Sequence, residues 1–464
     1  MLKVSRLALV ALIAFLAVPA ATVKAAPRMP IGFFDDPSFR WSPTRDQNLQ
    51  LAQITGASII HTTATWASIA PTRPANPANG DDPAYRLTDL DDLVFTSSLY
   101  GMRVMINITG TPKWANGGKA PNVMPTKLSD LTTFARMLAA RYNGRTGHGT
   151  VSLWSVWNEP NLQLFLTPQF SGKKIVGPAN YAKLFKAAYA GIKSGNPWSK
   201  VAIGETSARG RDKPLKGVSD SIAPGTFAHL LSTMKGLKFD AWAVHPYPVA
   251  ENLPPLAKVR YPNVTLSTLP RFESDLKKWF KRTVPVWITE YGHQTKPADP
   301  HGVTLAQQAK YAQQALTFAK NDPNVQMFIW FVFRDNKGDP WKSGFYSESG
   351  VQKPAFDAFG AVARLIDGTT MTTKAGAPPL VTMYVPYLAH YSVPGTLIGM
   401  TYVVYNSHGG TVAVGQPTAP LEPDQSVTFV PKFTPVKGQS YTVVAQLNEP
   451  NGHTESRTAV ISVT

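Results

Sequence analysis

The sequence predicts a (β/α)₈ barrel followed by a small β-sandwich, and three observations carry that prediction. Eight short, continuously apolar runs alternate with helix-periodic stretches from Pro30 to about Ile366. No Gly-rich phosphate turn follows the first run, as a doubly wound sheet would require. Beyond Ile366 helical periodicity stops and alternating strands take over. Continuously apolar strands suit a parallel sheet buried on both faces. Eight of them interleaved with helices, over more than ~250 residues, close into a barrel.

The strand candidates are, in order, Ile31 to Phe34, Ser58 to Thr65, Val104 to Ile108, Val151 to Trp157, Val201 to Gly204, Ala241 to Val244, Val286 to Thr289 and Met327 to Phe333. Helical periodicity marks Leu128 to Tyr142, Asn180 to Ile192, Thr226 to Met234, Leu305 to Ala319 and Phe356 to Ile366. Asp367 to Pro379, rich in Gly, Thr and Pro, reads as a linker or crossing segment. Leu397 to Tyr405, Ser426 to Val430, Tyr441 to Leu447 and Arg457 to Val463 then read as strands of an immunoglobulin- or fibronectin-like sandwich. The expected units are residues 27–368 and 378–464.

At the N-terminus, Lys3 and Arg6 precede an apolar run from Leu7 to Val18, and Val23-Lys24-Ala25 offers a cleavage site. Residues 1–25 therefore read as a signal peptide, and the chain as secreted or extracytoplasmic. The run falls short of the ~20 residues that span a bilayer, so no membrane span is expected in the mature protein, which reads as a monomer. The chain has no Cys, which excludes disulfides, thiol catalysis and Cys-ligated zinc. Its formal charge of +17 is scattered. It reads as a solvated basic surface or as an attraction to anionic polymers, acidic polysaccharide included. No nucleic-acid-binding module is recognisable.

Barrel enzymes carry their chemistry at the C-terminal ends of the strands. Strand four ends in Trp157-Asn158-Glu159-Pro160 and strand seven in Thr289-Glu290-Tyr291-Gly292. Two carboxylates facing each other at ~5 Å can cleave a glycosidic bond with retention, one attacking the anomeric carbon while the other protonates the leaving oxygen. Glu159, beside a second carboxylate and walled by Trp157, is expected to hold its proton and act as acid/base. Glu290 is expected to stay ionised, with Tyr247 of His245-Pro246-Tyr247-Pro248 as its hydrogen-bond donor. Asn158 is placed to bond a sugar 2-hydroxyl. Trp330 and Trp114 are candidates for stacking on sugar, and His245 joins the substrate site by orienting its neighbours. Glu205 reads as one half of a salt bridge with a barrel Arg or Lys, and Trp66 and Trp287 as core. No metal-ligand spacing and no nucleophile elbow is present, so no metal or cofactor is expected.

This pattern resembles the clan A glycoside hydrolases, in particular family 39 and related family 5 members. Beyond the two glutamates, the resemblance rests on Trp66-Ala67-Ser68-Ile69-Ala70-Pro71 after strand two and Thr109-Gly110-Thr111-Pro112-Lys113-Trp114 after strand three. Phe328-Ile329-Trp330 in strand eight and Gln352-Lys353-Pro354-Ala355-Phe356 before the last helix add to it. It implies a retaining hydrolase acting on a β-linked polysaccharide or oligosaccharide, with Glu159 as acid/base and Glu290 as nucleophile. Where that family often has an arginine on strand two, this sequence has His61. That departure leaves open a barrel that binds sugar with impaired turnover, and the sandwich leaves open cell-surface adhesion. Specificity is expected in the loops 71–85, 117–124, 163–177 and 208–224.

Overall fold

The computed structural model describes residues 29–363, 370–408, 410–422 and 426–464. The signal-peptide reading and the end of the last barrel helix lie outside them. All eight strand candidates form: β1 (Ile31–Phe34), β2 (Ile59–Thr65), β3 (Arg103–Thr109), β4 (Leu153–Val156), β5 (Lys200–Ser207), β6 (Ala241–His245), β7 (Val286–Ile288) and β8 (Val325–Phe331). They pair in parallel in sequence order, and β1 pairs with β8 to close the barrel. Gly32 is required where β1 meets β2, because a Cβ there would lie 1.7 Å from the Ile59 carbonyl oxygen.

Two apolar layers hold the barrel. Inside, Trp287 is surrounded by Ile59, Met105, Leu153, Met327 and Ile329, while Ala202, Ala241 and Ala243 leave room for its ring. Outside, Phe33, Trp154, Trp242 and Trp330 face the helices. One long helix follows each strand: α1 (Arg45–Ile54), α2 (Thr88–Leu99), α3 (Leu128–Arg141), α4 (Gly177–Gly195), α5 (Pro224–Ser232), α6 (Leu269–Phe280), α7 (Leu305–Asn321) and α8 (Ala355–Ala363). Thr304 and Gln307 form a reciprocal capping box at the start of α7. Helices α1 and α2 escaped the sequence reading, and α6 entered it only through its basic end near Lys277. Helix α1, for example, buries only Asn48, Leu49 and Ala52, a stripe too narrow to stand out as periodic.

The C-terminal unit contains β9 (Thr370–Thr373), β10 (Val381–Tyr384), β11 (Leu397–Asn406), β12 (Thr411–Gly415), β13 (Thr418–Pro420), β14 (Ser426–Phe429), β15 (Ser440–Asn448) and β16 (Thr454–Val463). One sheet has the order β9-β16-β15-β11-β12, with β13 also on β11, and β10 pairs with β14. Ile398, Met400, Tyr402 and Val404 alternate inward along β11. The segment read as a linker thus supplies β9, which runs parallel to the last strand. Against the barrel, the Arg457 guanidinium bonds the Gly101 carbonyl, and Arg103 lies over the Tyr384 ring at 4.7 Å. No helix among the described residues is long and apolar enough to cross a membrane.

Candidate active site

The C-terminal ends of the strands open into a cleft of about 1560 Å³. Asn158, Glu159, Tyr247 and Glu290 all line it, as the sequence reading expected. Three positions at the floor of this region have left-handed backbone: Trp157 (φ 70°), Glu159 (φ 37°) and Glu205 (φ 48°). Such residues cost about 1–3 kcal/mol each and persist where the surrounding structure enforces them. At Glu205 the cause is visible. The β5–β6 register slips between Gly204 and Thr206, and Gly204, at φ 109°, packs its bare Cα against Ala243 and Trp242. This bulge turns the Glu205 carboxylate into the barrel.

His245, the last residue of β6, sits between three carboxylates. Its Nδ1 lies 3.1 Å from Glu159 Oε1 and 3.5 Å from Glu290 Oε2, and its Nε2 lies 2.8 Å from Glu205 Oε2. Thr289 Oγ1 donates a second bond to the same Glu205 oxygen at 2.6 Å. One oxygen of Glu159, one of Glu290 and a nitrogen of His245 all lie within 4.8 Å of one another. Among the described residues that donor set is the one that could hold a metal ion, and a protonated His245 puts positive charge at the same place. Tyr247 donates its hydroxyl to Glu290 Oε2 at 3.2 Å, and its ring stacks on Tyr291.

The electrostatics follow from burial and from these neighbours. Burial opposes charge on His245, but the Glu290 charge and the bonds to Glu159 and Glu205 outweigh it and hold the imidazole well above its usual range. Burial also works against the Glu205 charge, and the His245 contact overcomes it, so this carboxyl is held low. Glu290 is pushed up to about 7, by burial first and then by the Glu159 and Glu205 charges, against the pull of His245. The sequence predicts that Glu290 stays ionised; burial beneath the strand ends instead raises its carboxyl. Trp157 does not wall Glu159 either, since its ring is in the outer core with Nε1 donating to the Phe165 carbonyl.

Four other expectations change. His245 is completely buried beneath the carboxylates, so it positions them and does not touch substrate. Trp330 points outward into the strand–helix layer, fully buried, with Nε1 bonded to the Ser343 carbonyl. Trp114 lies away from the cleft, its ring edge-on to Trp66 and one face covered by Arg73 at 4.3 Å. The partner of Glu205 is His245, where an Arg or Lys was expected. His61 is buried and held near 4 by that burial, so it stays neutral and does not replace the strand-two arginine.

Besides Tyr247, the aromatic residues lining the cleft are Phe34, Phe165, Phe331 and Trp341. Phe331 was within reach of the sequence. Met327 and Ile329 face the barrel interior, so period two assigns the inward position at the strand end to Phe331 and the outward one to Trp330. Trp341 sits in an irregular loop, its indole N–H on Ser343 Oγ at 2.8 Å and its ring edge-on to Tyr247, and no periodicity marks it.

Comparison with known proteins agrees with this architecture. The sequence profile of the cellulase family (glycosyl hydrolase family 5) matches residues 26–335. Among solved structures, a family 39 glycoside hydrolase from the gut symbiont Bacteroides cellulosilyticus WH2 superposes with a TM-score of 0.55 at 19% identity, over 87% of this chain and 81% of that one. A glucosidase from Croceicoccus marinus gives 0.57 at 12% identity, over 92% and 97%. A family 39 β-xylosidase from Caulobacter crescentus gives 0.53 at 16%, over 82% and 84%. At these identities the likeness establishes the fold. No curated protein sequence is significantly similar to the chain.

Proposed function

The chain belongs to the cellulase family, glycosyl hydrolase family 5, and on that premise we propose that it hydrolyses a β-linked glycan by double displacement with retention of configuration. Membership makes it a glycoside hydrolase with a carbohydrate substrate. The retaining mechanism rests on one observation: carboxylate oxygens of Glu159 and Glu290 within 4.8 Å of each other across the cleft. Inverting pairs stand about 6.5–9.5 Å apart to admit a water, and retaining pairs about 5–5.5 Å.

In this reading Glu290 attacks the anomeric carbon while Glu159 gives its proton to the leaving oxygen. Glu159 then takes a proton from the water that releases the glycosyl-enzyme. Tyr247 and His245 steady the charge on Glu290, and Asn158 bonds the sugar 2-hydroxyl. A cleft of about 1560 Å³ exceeds the ~300–1,000 Å³ of small-molecule sites, which favours internal cleavage of a chain. The basic-then-apolar start of the sequence favours action outside the cytoplasm. Proton NMR of the first product tests the stereochemistry. The β anomer is expected to appear before mutarotation, and initial release of the α anomer would overturn the mechanism.

Two further results are expected. With an activated aryl glycoside, which needs no acid assistance, kcat/KM should rise with pH through about 7 as Glu290 ionises. Glu159→Gln removes a charge that raises Glu290, so the same limb should move to lower pH, and an unmoved limb would separate the two carboxyls. Trp341→Ala should weaken glycan binding about five- to thirtyfold through lost stacking, with little change in kcat. Titration of an inactive variant with oligosaccharide measures it.

A further inference from the structure

One wall of the cleft carries a set of cations that the hydrolytic chemistry does not use. Arg209 and Arg211 follow β5, Arg260 follows β6 and Lys296 follows β7; all four are exposed and line the cleft. None of them makes an ion pair among the described residues. Instead, Arg209 is tethered to the Val249 carbonyl at 2.6 Å and Arg211 to the Ser219 carbonyl at 2.5 Å, contacts that fix the guanidinium groups without neutralising them. Apart from Glu159 and Glu290, the acidic residues among the described lining are Asp220 and Glu251. Glu251 shares a hydrogen bond with Asp299, which raises its pKa and reduces its hold on the nearby cations. The opposite wall, formed by Phe34, Thr63, Thr65 and Thr109, is uncharged.

Unpaired cations gathered in a cleft with low-dielectric walls focus a positive potential on whatever lies between them. Arginine adds directionality, because its planar fork matches a carboxylate or a sulfate oxygen pair. We propose that the substrate is an anionic glycan, and that its carboxylate- or sulfate-bearing residues lie along the wall formed by Arg209, Arg211, Arg260 and Lys296. This deepens the reading of the cleft as a site of glycan cleavage and rests on it. The charge asymmetry makes the preference one-sided. The sugars against the Phe34 wall meet no cation, so the anionic requirement falls on one side of the scissile bond.

The test compares β-linked polymannuronate, polyglucuronate and chondroitin sulfate with their neutral counterparts, carboxyl-reduced in all three cases and also desulfated in the last. Affinity electrophoresis of the full chain carrying Glu290→Gln keeps the glycans intact. At least one anionic chain should bind about tenfold or more tightly than its neutral counterpart. That preference should disappear in a variant with Arg209, Arg211, Arg260 and Lys296 all changed to Ala. It should survive in a control with Lys277, Lys278, Lys310 and Lys320 of the outer helices changed to Ala, which loses the same net charge. Equal binding of charged and neutral chains, no binding of any anionic chain, or equal losses in both variants would overturn the proposal. Failure of the hydrolytic reading looks different. Charge-selective binding without cleavage of any glycan sinks the mechanism and keeps the substrate class. Retaining cleavage of neutral glycans without charge preference does the reverse.

Discussion

Glu290→Ala is expected to lower kcat on the natural glycan by about 10⁴-fold or more while leaving the barrel folded. The glutamate stands two residues past β7, a strand whose three residues are all buried, so the backbone that carries it is set by the barrel and not by the side chain. Its carboxyl is held up near 7, against an ordinary value of 4.5. The sign of the stability effect follows. A carboxyl raised in the folded state binds its proton more tightly there than in the unfolded chain, so stability falls as pH rises from 4.5 through about 7. Removing the group relieves that cost, and the variant should melt no lower than the wild type at pH 8, a trade of stability for activity. Initial rates together with circular-dichroism melts check both halves. Full activity in the alanine variant would remove Glu290 from the mechanism.

His245→Leu is expected to have the largest effect on stability, about 3–5 kcal/mol at mildly acidic pH. The imidazole is the cation shared by Glu159, Glu205 and Glu290, and Glu205 is itself completely buried. Without His245, Glu205 keeps the hydroxyls of Thr289 and Ser155 to offset its burial, and no cation beside it. The pH window follows from the two shifts. His245, raised above its ordinary 6.5, contributes stability that is fully present below 6.5 and lost as pH rises through its higher folded value. Glu205, lowered from 4.5, contributes stability that is present above 4.5 and lost as pH falls through its lower folded value. The deficit of the variant should therefore be greatest between 4.5 and 6.5 and narrow on either side. A merely structural histidine would not alter Glu290, but this one lowers its pKa. The acid limb of kcat/KM should accordingly move above 7 in His245→Gln. Urea unfolding across pH and pH–rate profiles give the two readouts.

How much of this was legible depended on how local the signal was. The barrel strands announced themselves because each is buried on both faces and reads as one apolar run. That Glu159 and Glu290 meet in one cleft was legible because Asn158-Glu159 and Glu290 stand at strand ends, where a barrel displays its chemistry. The electrostatic centre was not. Glu205 reaches His245 only through the bulge at Gly204, and a one-residue slip in β5 leaves no mark on composition or periodicity. The rise of the Glu290 carboxyl comes first from burial, a property of packing. Trp330 was misplaced by one residue of strand parity, whereas Trp341 comes from a loop whose path only the folded chain defines. Helices α1 and α2 were passed over because polar and charged residues interrupt their apolar stripes, whereas the stripe of α6, formed by Leu269, Phe272 and Leu276, was there to be read.

On the proposed mechanism Glu290 forms a covalent glycosyl-enzyme within reach of Glu159. Mass spectrometry of the protein after incubation with a panel of activated 2-deoxy-2-fluoro glycosides, uronic acid derivatives included, tests it most directly. A glycosyl adduct is expected on the peptide containing Glu290, formed by the wild type and absent from Glu290→Gln. An adduct on another residue, or steady turnover of a glycone whose fluoro derivative never labels the protein, would contradict it.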